Sequence, residues 1–374
     1  MSKQIRICHL TSLHPPFDVR IFHKECVSLA KAGFDVRLVA PIEQRTVKNN
    51  IIVVPVELPH NKIWRMISAQ FNMLVVALHQ RAKVYHFHDP ELLPCGVLLK
   101  LFGKKVIYDV HENMHVSILS KRWIPKPFRR IVSALYKVIE WFSILFFDHL
   151  ILAEESYLKN YSQAKSTVVL NYPLPSTAQL ITRTYGNPFK FVYVGAVEIE
   201  RGALEMVELI GHLNANGYES TIDIVGKIWD KNLKEKMLKM ARQYHIENKV
   251  NIVGKVDFEQ VEQYVDNAQI GLAMLYPIPN YYESLPTKIF EYMQRGLPVV
   301  VSNFPLYKKY VEESGTGICV DVQSHCITTQ VIEMLDNVNR LSDYGQNGVR
   351  AVAEKYNWNT QSEKLVSVYN YLLK

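Results

Sequence analysis

The sequence predicts an α/β protein composed of two Rossmann-like, doubly wound domains. Its length of 374 residues exceeds what one hydrophobic core usually organises. Short apolar strands alternate with amphipathic helices along the chain, which is typical of parallel sheets covered by helices on both faces. A segment with prolines and small polar residues, 173–188, separates two such series and is expected to be a linker. We therefore expect a first domain over 1–172, a second over 189–356, and a ligand-binding cleft between them.

The first series is expected to open with a buried strand over 5–10, a loop over 14–20 and a helix over about 21–32 that Gly33 ends. The alternation then continues to the end of the domain. Further strands are expected at 35–40, 51–56, 84–88, 105–110, 150–152 and 167–170, and further helices at 64–81, 91–102 and 121–147.

The expected helix over 121–147 combines an apolar stripe at helical spacing with basic residues in its first half. The stripe consists of Phe128, Ile131, Val132, Leu135, Val138, Ile139, Phe142, Leu145 and Phe146. The basic residues are Lys121, Arg122, Lys126, Arg129, Arg130 and Lys137, with Trp123 among them. Two interpretations stay open: the stripe packs on the core of the domain, or the helix is an interfacial patch that contacts anionic lipid headgroups.

The second series repeats the pattern after the linker. Its strands are expected at 189–195, 221–225, 250–253, 270–275, 299–301 and 317–320, and its helices at 203–216, 233–244, 258–267, 306–313, 326–340 and from 359 to the end.

The stretch 282–301 is expected to form a loop, a short helix, a tight turn and a buried strand. Ser284 is a favourable N-cap and Pro286 fits a first helical turn, while Gly296 stops the helix before the apolar run. A helix start at this place in the domain is where a ligand would lie.

This helix start has the chemistry of a phosphate-binding site. The N–H groups of Leu285, Thr287 and Lys288 would point out of the positive end of the helix, and the Lys288 side chain adds a full charge. Glu283 precedes the site and Glu291 lies one turn after Lys288, so one carboxylate reaches each end of a diphosphate ligand. A capped amphipathic helix with two solvated glutamates is the alternative interpretation of the same spacing.

The charge is distributed unevenly along the chain. Residues 1–187 contain 24 basic and 13 acidic residues, a net charge of +11, whereas 188–374 contain 19 basic and 23 acidic residues, a net charge of −4. The first half is therefore expected to meet an anionic partner or surface. No signal peptide and no membrane span are expected, and the five cysteines lack CxxC spacing, which is typical of reduced, buried thiols in a cytosolic protein.

Several patterns bear on metal binding. His111 and His115 match the zinc-protease pattern HExxH, but the β-branched run before His111 places it at a strand end, where the two rings need not converge. His86 and His88 alternate on a strand, and no further ligand cluster is apparent in the sequence. A lone histidine such as His111 at a strand end is better suited to hydrogen bonding in the cleft.

The fingerprints GxGxxG, GxxxxGK[ST] and DxD are absent from the sequence. A diphosphate would therefore be neutralised by cationic side chains and helix N-termini, and no metal or other cofactor is expected. Arg201 follows the first strand of the second domain by one short loop and is a candidate for this role. An ordinary surface arginine is the alternative.

Taken together, these motifs resemble the family 4 retaining glycosyltransferases of the GT-B fold along essentially the whole chain. The carriers are ESLPTKIFEYMQRGLPVV with its two glutamates seven residues apart, VYVGAVEIERG, TIDIVG, VNIVGKV, VVLNYP, HFHDPE, VIYDVHE and EKYNWN. The resemblance implies that the last helix, from about 357 to 374, packs back on the first domain.

The resemblance also implies roles for individual residues. Glu291 is expected to hold the donor ribose, and Glu283 to face the transferred sugar. Arg201 and Lys288 are expected to bind the diphosphate, together with the backbone N–H groups near Pro286 and Thr287. The family pattern places His111 beside the donor sugar and places the nucleotide base along the backbone at Gly254 and Lys255.

Two features depart from the family pattern. Many members have a Gly-Gly loop after the first strand, whereas this chain has a stiffer loop with two prolines over 14–20. Many members also have an arginine after the glycine that ends the first strand of the second domain, where this chain has Ala196. One phosphate-binding cation is then missing, so either Lys288 takes its share or the donor binds less tightly.

The implied function is transfer of a sugar, with retention, from a nucleoside-diphosphate sugar to a lipid-linked glycan in bacterial surface-polysaccharide (O-antigen or capsule) synthesis, with a UDP-sugar favoured as the donor. The basic first half fits a peripheral position on the inner face of the membrane. The alternatives are a sugar-nucleotide epimerase of the same fold and a catalytically silent sugar-nucleotide-binding partner subunit. A nucleic-acid partner is not expected, because the basic residues do not form a stripe with stacking aromatics.

Overall fold

A computed structural model of the chain describes residues 4–57, 62–121, 124–175, 181 and 183–374. It divides into two compact units, one formed by Met1–Leu174 with Trp358–Lys374 and the other by Pro175–Asn357. The expected boundary at 173–188 falls in the same region, and 176–180 and 182 lie outside the described residues.

The described strands are β1 (Arg6–Leu10), β2 (Asp35–Ala40), β3 (Thr46–Lys48), β4 (Ile51–Pro55), β5 (Val84–Phe87), β6 (Lys105–Val110), β7 (His149–Leu152), β8 (Ser166–Val168), β9 (Phe189–Val194), β10 (Ser220–Val225), β11 (Val250–Gly254), β12 (Ile270–Ala273), β13 (Val299–Ser302) and β14 (Gly317–Val320). The described α-helices are α1 (Val27–Lys31), α2 (Lys62–His79), α3 (Leu93–Leu101), α4 (Met114–Ser120), α5 (Lys126–Ile144), α6 (Ala203–Ala215), α7 (Lys231–Gln243), α8 (Phe258–Asn267), α9 (Pro279–Tyr282), α10 (Thr287–Gln294), α11 (Pro305–Val311), α12 (Ile327–Leu335), α13 (Val338–Glu354) and α14 (Trp358–Leu372).

The sheet of the first unit has the order β3-β4-β2-β1-β5-β6-β7-β8. Its strands are parallel except β3, which pairs antiparallel with β4. The expected alternation did not include β3. Asn49 and Asn50 join β3 to β4 with φ of 52° and 60°, and an Asn-Asn pair in the left-handed region is a hairpin signal that sequence reasoning overlooked.

The helix after β1 starts earlier than expected and is unusual in its first two turns. Val19–Cys26 is a π-helix that continues into α1, and the Asp18 side chain caps it by accepting hydrogen bonds from the N–H groups of Arg20 and Ile21. Arg20 was expected in a loop but lies within the helix and is buried. Single π-turns often occur at functional sites.

The expected helix over 121–147 is wrong in its extent and in one interpretation of its stripe. The chain forms α4, then α5 from Lys126, while Arg122 and Trp123 lie outside the described residues. Phe146 at the end of the stripe packs against the core of the unit, but the other members of the stripe are exposed. Phe128, Ile131, Val132, Leu135, Val138, Ile139, Trp141, Phe142 and Leu145 are 37–64% exposed.

The inward face of α5 carries buried polar side chains. Ser133 Oγ donates to the carbonyl of His115 at 2.6 Å, and the buried Glu140 carboxylate accepts a hydrogen bond from Tyr136 at 2.9 Å. Burial raises the pKa of Glu140, although hydrogen bonds from tyrosines oppose the shift. Tyr136 and Ile144 also pack against the core of the unit, so polar and apolar contacts together hold α5, while most of its apolar stripe faces outward.

The last helix belongs to the first unit. The Trp358 N–H donates to the carbonyl of Pro173, and the Trp358 indole donates to Ser28 Oγ, both at 2.8 Å. Leu365 and Tyr369 are fully buried in a cluster with residues of β1, β2 and the π-helix.

The second unit has an all-parallel sheet with the order β11-β10-β9-β12-β13-β14. Its core consists of apolar side chains from the central strands and from α6, α7 and α12. The helix expected over 326–340 is wrong, because α12 ends at Leu335 and the longer α13 follows. The Asn337 side chain caps α13 by accepting from the Arg340 N–H at 3.0 Å, so an Asx cap interrupts what periodicity alone suggested was one helix.

The cysteines are all unpaired. Cys8, Cys26 and Cys95 are buried as expected, but Cys319 is only partly buried and Cys326 is exposed. Within the described ranges, no helix combines the length and apolar character that a bilayer crossing needs.

Candidate functional site

The carboxyl edge of the second sheet is shaped by glycines that follow β9 and β10. Gly195 has a φ of 138° and Gly226 a φ of 155°. A Cβ atom on Gly226 would lie 1.7 Å from the Gly195 carbonyl oxygen, and a Cβ atom on Gly195 would lie 2.6 Å from Lys288 Nζ. Glycine at both positions therefore lets two turns and a lysine side chain approach one another closely.

Helix α10 begins two residues later than an N-cap at Ser284 would place it. Pro286 is the N-cap, with an extended backbone (φ −82°, ψ 93°) and no side-chain cap, so Leu285 lies before the helix and its N–H is not a helix-start group. Thr287 and Lys288 are the first two helical residues. Their N–H groups remain at the positive end of the helix, as the sequence predicted.

Lys288 Nζ is enclosed at this helix start. It lies 4.3 Å from the centre of the Tyr193 ring and has no hydrogen-bond partner among the residues that the structure describes. Burial and the nearby Arg201 lower the pKa of Lys288 to about 7, against smaller opposing effects of Glu291 and Glu198. A buried ammonium that faces an aromatic ring and lacks a hydrogen-bond acceptor among the described residues is costly, and an anion would relieve that cost.

Arg201 ends the short 3₁₀ turn Ile199–Arg201 that precedes α6. Its Nε lies 3.2 Å from both Glu198 Oε2 and the Tyr281 hydroxyl. The guanidinium carbon lies 5.1 Å from the centre of the Tyr281 ring. Its side chain is only 27% exposed, so Arg201 is held in place by neighbours and is not a free surface arginine.

Arg201 and Lys288 both lie beside Tyr193. Burial raises the pKa of Tyr193 to about 12, partly offset by its interaction with Arg201. The Tyr193 hydroxyl donates to the carbonyl of Ala196 at 2.7 Å. The structure thus brings together the two cations that the sequence predicted. They border one turn, and Ala196, the departure from the family pattern, lies in that same turn.

Sequence reasoning missed the residues that hold these cations. Tyr193, Tyr281 and Glu198 were not identified, because a tyrosine in a buried strand is read as core and a glutamate in a loop as solvated. Arg201 three residues after Glu198 was the available signal, since this spacing permits an ion pair within one turn.

The two predicted glutamates are at the surface of the unit. Glu283 follows α9 and Glu291 lies in α10, and both are exposed. At the other side of the edge, Gly254 ends β11 with a φ of 85° and accepts a hydrogen bond from the Gly226 N–H at 2.8 Å. Lys255 beside it is exposed. The structure does not test the roles predicted for these four residues.

His111 lies in the first unit, directly after β6, where the sequence placed it. Its Nε2 is 2.6 Å from Asp109 Oδ2, and its ring is 5.3 Å from the ring of His14. Burial alone would raise the pKa of Asp109, but Arg20 and His111 outweigh it and hold that pKa well below its usual range. Asp109 is therefore a carboxylate that orients His111.

The structure groups His111 with Asp109 and His88. His115 is the second residue of α4 and is outside this group. The expectation that no further ligand cluster accompanies His86 and His88 is wrong. His9 and Glu25, which are distant in sequence, lie beside them, since β1 neighbours β5 in the sheet and the π-helix packs over both.

Two family models match the chain in succession. Residues 20–165 match Glycosyltransferase Family 4, and residues 179–350 match Glycosyl transferases group 1.

The curated relatives have low sequence identity to the chain. An uncharacterized glycosyltransferase of Methanocaldococcus jannaschii, MJ1069, is 24% identical over 194 residues, which cover 52% of this chain and 48% of the relative. The chain therefore spans about half the length of the curated relatives that it matches.

Solved structures are similar over nearly the whole chain. The sucrose-phosphate synthase of Thermosynechococcus elongatus has a TM-score of 0.75 at 15% identity, with 99% of each chain covered. The Anabaena protein HepE, solved with UDP and glucose, has a TM-score of 0.69 at 13% identity, with 98% of this chain and 100% of that chain covered. The chain therefore has the GT-B fold, and its first and second halves match the models of Glycosyltransferase Family 4 and of Glycosyl transferases group 1, respectively.

Proposed function

We propose that the chain transfers a sugar, with retention of configuration, from a nucleoside-diphosphate sugar to a lipid-linked glycan acceptor in surface-polysaccharide synthesis. The observation that carries the proposal is the arrangement of Lys288 and Arg201 around Tyr193 at the start of α10. Two cations at a helix start form a site for a diphosphate. UDP is favoured as the nucleotide, in keeping with the UDP bound to the similar Anabaena protein.

The charges account for the chemistry of the leaving group. As the bond between the anomeric carbon and the diphosphate breaks, negative charge grows on the diphosphate oxygens and the sugar becomes oxocarbenium-like. Lys288, Arg201 and the N–H groups of Thr287 and Lys288 stabilise the growing charge because they are already in position. Tyr281 and Glu198 hold Arg201 there.

Retention follows from using the leaving group as the base. The acceptor hydroxyl attacks on the face from which the diphosphate departs, a new carbon–oxygen bond forms, and the hydroxyl proton passes to a diphosphate oxygen. This step needs no protein base on the opposite face of the sugar. Glu283 and His111 keep their predicted roles beside the transferred sugar, and Glu291 its predicted role at the ribose.

Neutralisation by side chains also supports a reaction without a metal ion. The positive charge that a divalent cation would supply at a diphosphate comes here from one guanidinium and one ammonium. Because Ala196 stands where many relatives have an arginine, the proposal gives Lys288 a larger share of this work.

The acceptor side of the proposal places the first unit on an anionic membrane surface. The exposed apolar face of α5 supports this, because every exposed charged residue of the helix is basic: Lys126, Arg130 and Lys137. An amphipathic helix of this type lies in the interface with its apolar face among the acyl chains and its basic residues at the headgroups. A dimer formed by packing two copies of α5 face to face would instead bring their basic residues together.

The proposal is tested by incubating the purified chain with sugar nucleotides and an undecaprenyl-diphosphate-linked acceptor. A glycosylated lipid supports it. An isomerised sugar nucleotide identifies an epimerase of the same fold, and binding without turnover identifies a silent subunit. The nucleotide is chosen beforehand from thermal shifts with UDP, GDP and TDP, since a bound ligand stabilises the folded state by mass action.

A further inference from the structure

The first unit contains a buried group of side chains that sugar transfer does not use. His9 of β1, Glu25 of the π-helix, His86 of β5 and His88 directly after β5 each offer one ligand atom, and these atoms lie within 4.8 Å of one another. All four residues are fully buried or 1% exposed. Three imidazoles and one carboxylate are ligands that Zn²⁺ accepts.

The separations between ligand atoms fit a tetrahedral ion. Zinc bonds of about 2.0–2.1 Å place neighbouring tetrahedral ligand atoms roughly 3.3 Å apart. The distance is 2.9 Å from His9 Nδ1 to His88 Nε2, 4.0 Å from His9 Nδ1 to Glu25 Oε2, and 3.8 Å from His86 Nδ1 to Glu25 Oε2. These three values bracket the required one. The ion would replace two hydrogen bonds, the one between His9 Nδ1 and His88 Nε2 and the one at 2.9 Å between His86 Nδ1 and the Tyr369 hydroxyl.

The outer partners of two histidines are those that metal ligands have. His88 faces the cluster with Nε2, and its Nδ1 lies 3.1 Å from Asp109 Oδ2. His9 faces it with Nδ1, and its Nε2 lies 3.0 Å from the Tyr369 hydroxyl. A ligating histidine usually gives its second nitrogen to a carboxylate or another acceptor in this way, which fixes its tautomer and orientation.

The hydrogen bonds within the unit leave Glu25 unsatisfied. Neither carboxylate oxygen has a hydrogen-bond partner among the described residues. Arg20 Nε lies 3.2 Å from Glu25 Oε1, but its hydrogen bond goes to Asp109. Two buried carboxylates thus share one guanidinium, and a buried carboxylate without a donor is strongly disfavoured.

We propose that His9, Glu25, His86 and His88 bind one zinc ion. Four protein ligands leave no open position for water or substrate, so the ion has a structural role. It joins β1, β5 and the π-helix behind the strand ends that carry Asp109 and His111. The proposal is independent of sugar transfer, whose diphosphate site lies in the other unit.

The test uses the full-length chain, expressed without a histidine tag in zinc-supplemented medium and measured by elemental analysis. We expect about one zinc per wild-type chain and almost none in Glu25→Gln, which keeps the shape of the side chain but removes the charged ligand. His79→Gln is the matched control, because His79 is exposed on α2 and bonds only to its own helix. It is expected to retain the metal.

Two measurements on the wild type keep the test decisive if a variant folds poorly. Wild-type protein refolded with Co²⁺ is expected to show the intense visible absorption of a tetrahedral ion, and chelation during partial unfolding is expected to lower its Tm. Asp109→Asn is expected to weaken zinc binding by about 10–100-fold through His88. Metal-free wild-type protein after refolding with excess Zn²⁺, or equal zinc in wild type and Glu25→Gln, would overturn the proposal.

Discussion

Replacing Lys288 with methionine should stabilise the ligand-free protein and weaken nucleotide binding at the same time. Methionine has nearly the length of the lysine stem and fits against Tyr193, but it carries no charge to desolvate. Burial and Arg201 lower the pKa of Lys288 from 10.5 to about 7. A shift of this size corresponds to a cost on the order of 5 kcal/mol for the charged form at pH 7.

The net gain in the free energy of unfolding is smaller than this cost. The variant loses the contact between the ammonium and the Tyr193 ring, worth about 0.5–2 kcal/mol, and the full pKa shift is an upper bound. We expect a gain of at least about 1 kcal/mol at pH 7, which raises the Tm of a domain of this size by roughly 2–4 °C.

The gain should also depend on pH with a definite sign. Between pH 7 and 10.5 the folded wild type binds fewer protons than the unfolded chain, so its free energy of unfolding rises with pH by up to about 1.4 kcal/mol per unit. The advantage of the variant is therefore largest at or below pH 7 and shrinks towards pH 10.

The same substitution should weaken nucleotide binding. Losing a hydrogen-bonded charge to the diphosphate should cost about 1.5–3 kcal/mol, or roughly 10–150-fold in Kd. Thermal unfolding at pH 7 and pH 9, with and without UDP, measures both effects. Lys190→Met, at the exposed start of β9, is the control and should change neither. A lower Tm for Lys288→Met together with an undiminished UDP shift would refute the reasoning.

Three other predictions follow from the same site and from α5. Arg201→Ala and Glu291→Ala should each lower kcat/KM by about 10²-fold or more, and near-native rates from both would remove these residues from the mechanism. The affinity of wild type for UDP should fall as pH rises above 7, because Lys288 must take up a proton to bind the diphosphate. Calorimetry in buffers of different ionisation enthalpy would detect that proton uptake. A Kd that does not change with pH would exclude it. Phe142→Ser should weaken binding to anionic liposomes by about 1.5–3 kcal/mol, roughly 10–150-fold. The control Phe102→Ser should not, although Phe102 is similarly exposed on the same unit. Equal sedimentation of both variants with the liposomes would contradict a role for α5.

Much of the fold could be predicted from the sequence, because strand and helix periodicity is a local property. The parallel strands, the division into two similar halves and the position of α10 all follow from apolar patterns and their Gly and Pro boundaries. The errors lie where individual residues interrupt such patterns. Asn337 splits one expected helix into two, and the extended backbone of Pro286 delays the start of α10.

The stripe of α5 shows a different limit of sequence reasoning. Periodicity identified its apolar face correctly but not the direction in which that face points. That direction depends on Ser133 and Glu140, whose partners His115 and Tyr108 lie outside the helix. An apolar stripe alone is equally compatible with a core and with a surface.

The sequence predicted the charged residues of the candidate site but not the residues that contact them. Arg201 and Lys288 could be identified from their positions next to predicted turns. Tyr193, which contacts both cations, could not be identified from the sequence. Its contacts depend on the sheet order, which places β9 at the centre. The same holds for His9 and Glu25, which meet His86 only through non-local strand pairing.

The most direct test of the account is calorimetric titration of UDP, in the presence of a chelator, into wild type and into the double variant Arg201→Ala, Lys288→Met. The account predicts that wild type binds UDP without a divalent cation and takes up a proton at pH 8, while the double variant shows no measurable binding. Binding that requires added Mg²⁺, or equal affinity in both proteins, would contradict the claim that these two side chains neutralise the diphosphate.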